Sequence, residues 1–398
     1  MCQNVPSESE CKSAYNGTWT SGACPSTTKA YGQSLMGVRN CGCTDDSPLC
    51  VPMRTKASLQ EATVIVPEKN ASKSKLFSQY LKMFASEGDK LLTKTGSLEG
   101  VKNFNDTVNI IEQKQEEQPT AVLAINETAV LSQEELKKRN GLSMKKFKAQ
   151  LKSTIVPAIP AHTKASLTDI LPTNFVWPMK GVVGVAKNQG TCGSCYVYSA
   201  VAVIESGHTR RTGKMLKFSE QALLDMKKEN KCTELLNGCD GGLPDEVIQC
   251  IANTGGYVEI DGVGGKKELI QTNITGAGTV FINNPQNTLE QKEMEIMREL
   301  FKNGPLCVAV AITDEWSVYH KGILQSPKFV PAINHAVVCI GWGYDTILNK
   351  KFWMIRNSWG LWGELGAIRL ERGNPKDKTG PFRMYEYNPV YPIYSDKK

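Results

Sequence analysis

Only four histidines occur in the 398 residues, at positions 162, 208, 320 and 335, and no cysteine lies between Cys50 and Cys192. The scarcity of imidazoles confines acid–base chemistry near neutral pH to four candidates. No apolar run approaches the roughly 18 residues that cross a bilayer as a helix, so no membrane span is expected. The N-terminus, "MCQNVPSESECKS", lacks both a basic start and an apolar stretch, and no secretory signal is visible there. A basic stripe interleaved with aromatics is also missing. The net charge of +7 sits mainly in residues 51–165, with 18 basic against 12 acidic side chains, and this pattern excludes nucleic-acid binding.

Hydrophobic residues at 40% and charged residues at 22% describe an ordinary soluble globular chain, long enough for two or three folded units. Thirteen cysteines, with five Asn-x-Ser/Thr sequons at Asn16, Asn70, Asn105, Asn126 and Asn273, favour the secretory route.

Three regions follow from the distribution of residues. Residues 1–55 carry six cysteines (Cys2, Cys11, Cys24, Cys41, Cys43, Cys50) among Ser, Gly, Thr and Asn, which predicts a small disulfide-stapled module. A zinc site fits poorly, because the spacing is irregular and histidine is absent. Residues 56–165 are rich in Lys, Glu, Gln and Ser, and "KLFSQYLKMFASEGDKLL" and "GSLEGVKNFNDTVNIIEQ" have helical periodicity, with Leu76, Phe77, Tyr80, Leu81 and Phe84 on one face. The Pro-containing "STIVPAIPAHTKASLTDILPTNF" reads as an exposed connector, and a boundary is placed near 165. In residues 166–398, "CYVYSAVAVIES" is apolar all round and predicts a buried helix starting at or just before Cys195. The runs 306–312, 335–342, 351–357 and 366–372 predict β-strands, so a helical half and a sheet or barrel half should enclose a cleft.

Within "KNQGTCGSCYVYSA", Cys192 and Cys195 could form a redox pair, half a metal site, a staple, or a nucleophile beside a staple. A thiol becomes a strong nucleophile on ionising, which an imidazolium and a helix N-terminus both favour. Cys195 is placed for the second effect. For the first, His335 stands at the mouth of an apolar strand in "INHAVVCIGWG", and Asn357 in "IRNSWG" ends the next one, where it could orient the ring.

At these residues the sequence resembles the papain family of cysteine proteases. Cys192-Gly193-Ser194-Cys195-Tyr196 matches the family signature, and His335 lies 140 residues after Cys195, inside the family's known spacing. "NQGTCGSC", "GCDGG", "NHAVVCIGWG" and "RNSWGLWGELGAIRLERG" occur in the family's order across most of residues 171–373.

The resemblance implies an α+β, papain-like fold of two lobes, one helical and one β-barrel-like, made as a zymogen that needs no metal or organic cofactor. It implies Cys195 as nucleophile, His335 as base and then acid, Asn357 as orienting residue and Gln189 as a donor to the oxyanion. Trp359 would shield the His335–Asn357 pair, and Gly241 and Gly242 would line the cleft for peptide substrates. Cys192 would be bonded to Cys239.

The segment "AINETAVLSQEEL" (124–136) resembles the end of the family's inhibitory propeptide, an intramolecular partner for the cleft. The helix before it keeps Phe104 and Ile111 at the family's seven-residue spacing, whereas Gly100 and Thr107 replace its usual arginine and asparagine.

Other departures bear on the staples. Met226 stands where a cysteine is common, so Cys232 is expected to pair with Cys250. Cys307 and Cys339 are expected to be buried thiols. A gap-free match of "VYP" puts Asn388 at the floor of the main specificity pocket, and the absence of a cleft-blocking His-containing insert points to an endopeptidase. The alternative is a secreted binding or adhesion protein that uses the N-terminal module, with an unknown ligand, on a scaffold of weak or no proteolysis. Secretion or a lysosomal or endosomal compartment fits either reading.

Overall fold

A computed structural model describes residues 64–84, 97–153, 171–226, 232, 236–259, 267–270 and 272–395. The Cys-rich segment 1–55, the expected boundaries near 55 and 165, and the sequon at Asn16 lie outside these residues.

The N-terminal part contains helices α1 (Lys73–Phe84) and α2 (Leu98–Gln115), strand β1 (Ala121–Leu123), and helices α3 (Gln133–Lys137) and α4 (Met144–Ser153). Strand β2 (Phe175–Val176) leads to helices α5 (Cys195–Thr212), α6 (Glu220–Met226) and α7 (Pro244–Thr254), then strands β3 (Gly256–Glu259), β4 (Lys267–Ile270) and β5 (Ile274–Thr279). Helix α8 (Leu289–Asn303) precedes β6 (Leu306–Val310), β7 (Tyr319–Leu324), β8 (His335–Asp345), β9 (Lys350–Arg356), β10 (Ala367–Arg372) and β11 (Val390–Tyr394).

One sheet dominates, with strands in the order β1, β7, β10, β9, β8, β6, β11, β5, and β2 pairs with β8. Alternating side chains of β6 and β8 divide between two cores. Leu306, Val308, Val310, Val337 and Cys339 pack with Ile296 and Leu300 of α8. Cys307, Ala309, Ala336 and Val338 pack with Val197 and Val201 of α5 and with Val247 and Ile251 of α7. A strand covered on both faces must be apolar at every position, which is why "LCVAV" reads as an unbroken run. Helix α5 is likewise surrounded, with nearly every residue from Cys195 to Thr209 buried.

The segment before residue 154 docks on this body. Phe104 of α2 packs on Phe77 and Tyr80 of α1, with ring centroids 5.0 and 5.3 Å apart. Gly100 and Thr107, the two departures from the usual pattern, are both buried. The Thr107 hydroxyl lies 3.1 and 3.0 Å from the carbonyl oxygens of Asn103 and Ala129, tying the helix to the turn that follows β1. Strand β1 adds antiparallel to β7 at the sheet edge. Asn126 Nδ2 donates to the Ser317 carbonyl at 2.7 Å, and the Ser132–Glu135 capping box opens α3.

Candidate active site

Cys195 is the first residue of α5, fully buried, and its sulfur receives three kinds of N–H contact. The backbone N–H of Ala336 in β8 lies 3.4 Å away and that of Gly141, from the docked N-terminal segment, 3.2 Å away. The N–H groups of Cys195 and Tyr196 at the helix start also favour the thiolate. Burial outweighs all of them and pushes the thiol up to about 11.

Cys192, three residues earlier, is bonded to Cys239, and Cys232 to Cys250, while Cys195, Cys307 and Cys339 are free thiols. This removes the redox-pair reading, since Cys192 is not bonded to Cys195. It also removes the reading of the pair as half a metal site.

His335 opens β8 and is fully buried. Its Nε2 lies 2.9 Å from Asn357 Oδ1, and the same oxygen accepts the Ser358 N–H at 2.8 Å. An oxygen that accepts from a backbone amide must be the carbonyl end of the Asn357 side chain, so the imidazole proton sits on Nε2. Nδ1 is left as the basic nitrogen. Trp359 packs over the ring with centroids 5.3 Å apart. Burial chiefly drives the His335 pKa down to about 4, the Asn357 bond and the Arg139 carbonyl oppose this, and the Arg139 charge adds to it.

Gln189 is held by its own backbone N–H to the Ser358 carbonyl at 2.9 Å, and its Oε1 accepts from the Ser358 hydroxyl. Its Nε2 therefore points inward and donates to the carbonyl oxygens of Cys192 at 2.8 Å and Arg139 at 2.9 Å. Gly242 donates its N–H to the Gly141 carbonyl at 3.0 Å and accepts from the Ser143 N–H at 3.1 Å. A Cβ on Gly242 would stand 2.6 Å from the Tyr196 ring, and one on Gly241, whose φ is +88°, would meet the Gly141 carbonyl at 2.8 Å.

All nine residues singled out in the sequence thus converge on one cleft. Asn388 turns away and accepts from the N–H groups of Ile282 and Asn283 at 3.0 and 2.7 Å, whereas Tyr387 is 2% exposed and faces the cleft segment, 5.5 Å from the Phe147 ring. Neighbouring residues in extended backbone face opposite ways, so the side chains of Asn388 and Tyr387 do not share a side. Sequence reasoning also passed over Arg139, which is 6% exposed with its guanidinium 5.3 Å over the Trp359 ring. Nothing in its local pattern, "KKRNG", separates it from neighbouring solvated bases.

The papain family cysteine protease model matches residues 171–386. Zingipain-2 of Zingiber officinale is 34% identical over 225 residues, 55% of this chain and 97% of that protein. A viral cathepsin of Cydia pomonella granulosis virus is 30% identical over 319 residues, 78% and 87% of the respective chains. The solved structure of recombinant stem bromelain precursor superposes with a TM-score of 0.61 at 25% identity, covering 81% of this chain and 99% of the other. The chain belongs to the papain family of cysteine proteases and carries the family's propeptide docked across its cleft.

Proposed function

We propose that Cys195 is the nucleophile, His335 the base and acid, Asn357 the residue that orients the imidazole, and Gln189 an oxyanion donor together with the Cys195 N–H. The observation that carries this reading is the convergence on the Cys195 sulfur of the start of α5, the residue after His335, and the propeptide's Gly141. Attack of the sulfur on a peptide carbonyl forms the C–S bond and an oxyanion that the two donors stabilise. His335, protonated by the thiol, gives its proton to the leaving amine as the C–N bond breaks. A water deprotonated by His335 then hydrolyses the thioester and regenerates the thiol. Trp359 keeps bulk water from the His335–Asn357 bond, and Gly241 and Gly242 leave room for an extended substrate backbone.

The same chemistry fixes the direction of the substrate. Its leaving-group side must lie at His335 and Trp359, and its acyl side at Gly242. The propeptide has Arg139 on the first side and Leu142 on the second, so it runs opposite to a substrate. The parallel bridge between Leu142 and Gly242 belongs to this course. The sulfur therefore meets the Gly141 N–H instead of a scissile carbonyl carbon, and the donor of the oxyanion site is engaged by the Arg139 carbonyl.

The propeptide crosses the cleft on both sides of Cys195, which supports endopeptidase over exopeptidase action. The proposed domain division is residues 1–55 a Cys-rich module, 56–165 propeptide and connector, and 166–398 catalytic domain. Two disulfides and the sequon at exposed Asn273 support passage through the secretory pathway to a secreted, lysosomal or endosomal destination. Among the described residues no helix is long and apolar enough to cross a membrane.

The test is labelling of the matured protein with an epoxide or vinyl sulfone probe, alongside hydrolysis of a peptide library. Modification of Cys195 with loss of hydrolysis is expected. Absence of both reactions in folded, propeptide-free protein favours the binding-protein alternative instead.

A further inference from the structure

The sequons differ in what folding does to them. Asn70 and Asn273 are exposed, whereas Asn126, in the propeptide just after β1, is 8% exposed. Its Nδ2, the atom to which a glycan is attached, donates to the carbonyl of Ser317, just before β7, at 2.7 Å. Its Oδ1 accepts from the N–H and the hydroxyl of Thr128, the third residue of the same sequon, at 3.0 and 2.8 Å. The chain on either side is held as firmly. Ile125 exchanges both backbone hydrogen bonds with Ile65, the Ala124 N–H donates to the Val318 carbonyl at 2.7 Å, and the Tyr80 hydroxyl donates to the Glu127 carbonyl at 2.7 Å.

An N-linked glycan is bulky and hydrated and needs a surface. On Asn126 its first sugar takes the place of one Nδ2 hydrogen, inside the contact between the propeptide and Ser317. Swinging the side chain outward breaks its bonds to Ser317 and Thr128 together and leaves the Ser317 carbonyl without this donor. The order of synthesis nevertheless opens the site. Ser317 follows Asn126 by 191 residues. At about 5–20 residues per second the partner arrives roughly 10–40 s later, and until then Asn126 has no docked position to occupy.

We propose that Asn126 is a glycan acceptor whose modification and the docking of the propeptide exclude one another, so that occupancy of this one sequon sets the share of precursor made latent. The donor is a lipid-pyrophosphate-linked oligosaccharide. Asn126 Nδ2 forms a C–N bond to the anomeric carbon of the sugar and loses one proton, while the C–O bond to the pyrophosphate breaks and the lipid pyrophosphate leaves with the electron pair. The exposed sequons at Asn70 and Asn273 carry glycans without consequence for docking and serve as internal controls. The inference rests on the secretory-pathway reading above.

The experiment expresses the full-length precursor in a eukaryotic secretory host and captures chains with an accessible Cys195 on a biotinylated epoxide at neutral pH. Peptide N-glycosidase in heavy-oxygen water then marks each glycosylated asparagine as a labelled aspartate for mass spectrometry. Asn70 and Asn273 should be marked alike in all pools. Asn126 should be marked in captured chains or in chains retained by the cell, at least about tenfold above the soluble uncaptured precursor, equivalent to about 1.4 kcal/mol. Dithiothreitol during synthesis blocks the Cys192–Cys239 and Cys232–Cys250 bonds and delays folding of the body that carries Ser317, so it should raise occupancy at Asn126 alone. Thr128→Val removes the sequon, keeps Asn126, and should increase the yield of uncaptured precursor. Equal marking of Asn126 in captured and uncaptured precursor overturns the exclusion. Asn126 unmarked in every pool, dithiothreitol included, while Asn70 and Asn273 are marked, overturns the acceptor. All three unmarked overturns the secretory reading itself, and the switch with it.

Discussion

Asn357 accepts from His335 Nε2 at 2.9 Å and from the Ser358 N–H at 2.8 Å through one and the same oxygen, so a single side chain sets both the orientation and the tautomer of the imidazole. Asn357→Ala removes the orienting acceptor and leaves the base in place. The expected outcome is a kcat/KM lower by roughly ten- to a hundredfold, part of the range that general acid–base catalysis supplies. His335→Ala and Cys195→Ala should abolish turnover. Steady-state kinetics on active-site-titrated Asn357→Ala checks the first; unchanged activity in Cys195→Ala would end the mechanism.

Gly141 is a point of close backbone approach in the docked propeptide. A Cβ built there would stand 1.8 Å from the Gly193 carbonyl oxygen, a backbone atom beside the Cys192–Cys239 link. The atoms it would meet all belong to the backbone, which yields less readily than a side chain, so Gly141→Ala should weaken docking. Alkylation of Cys195 in the full-length precursor should accelerate about tenfold or more, equivalent to at least about 1.4 kcal/mol. The matured enzyme, which lacks residue 141, should be unaffected. Equal alkylation rates in the two precursors would refute the close approach.

Much of this site is legible in the chain because its parts are local. The all-round apolar "CYVYSAVAVIES" predicts a helix surrounded by core and starting at Cys195, and the resemblance to the papain family adds the nucleophile's role. The strand runs at His335 and before Asn357 are equally plain, since a strand buried on both faces cannot hide a polar residue except at its ends. What stays hidden depends on pairings distant in sequence. Arg139 gains meaning only when Trp359 lies beneath it.

In the precursor, burial holds the thiol at about 11 and the imidazole at about 4, so between these values both are neutral and no ion pair forms. Cys195 of the precursor should resist iodoacetamide from pH 5 to 9, while the matured enzyme reacts at neutral pH. The linkage has a definite sign. His335 binds its proton less readily when docked than an ordinary imidazole, so docking is favoured above pH 6.5 and loses ground as pH falls from 6.5 towards 4. The full shift corresponds to about 3 kcal/mol. Arg139→Gln removes a positive charge facing the ring and should raise the His335 midpoint, read by NMR titration of the precursor. A midpoint unchanged by Arg139→Gln would dismiss the electrostatic role of that residue.

The Cys192–Cys239 bond joins the loop before the nucleophile to the loop that carries Gly241 and Gly242, across 47 residues of sequence. The two loops approach so closely that a Cβ on Gly193 would lie 2.3 Å from the Cys239 carbonyl oxygen, so the bond governs the width of the cleft as well as stability. Closing a loop of this length in the unfolded chain is worth about 4 kcal/mol on the chain-entropy account. Replacing both cysteines by serine should lower the thermal midpoint of the catalytic domain by roughly 10 °C. If the bond also positions Cys195, kcat/KM per folded molecule should fall, and the loss should exceed that from replacing Cys232 and Cys250, whose bond anchors α7 at a distance from the nucleophile. Calorimetry and titrated kinetics on the two double variants separate the effects. Equal specific activity in both would confine the Cys192–Cys239 bond to stability.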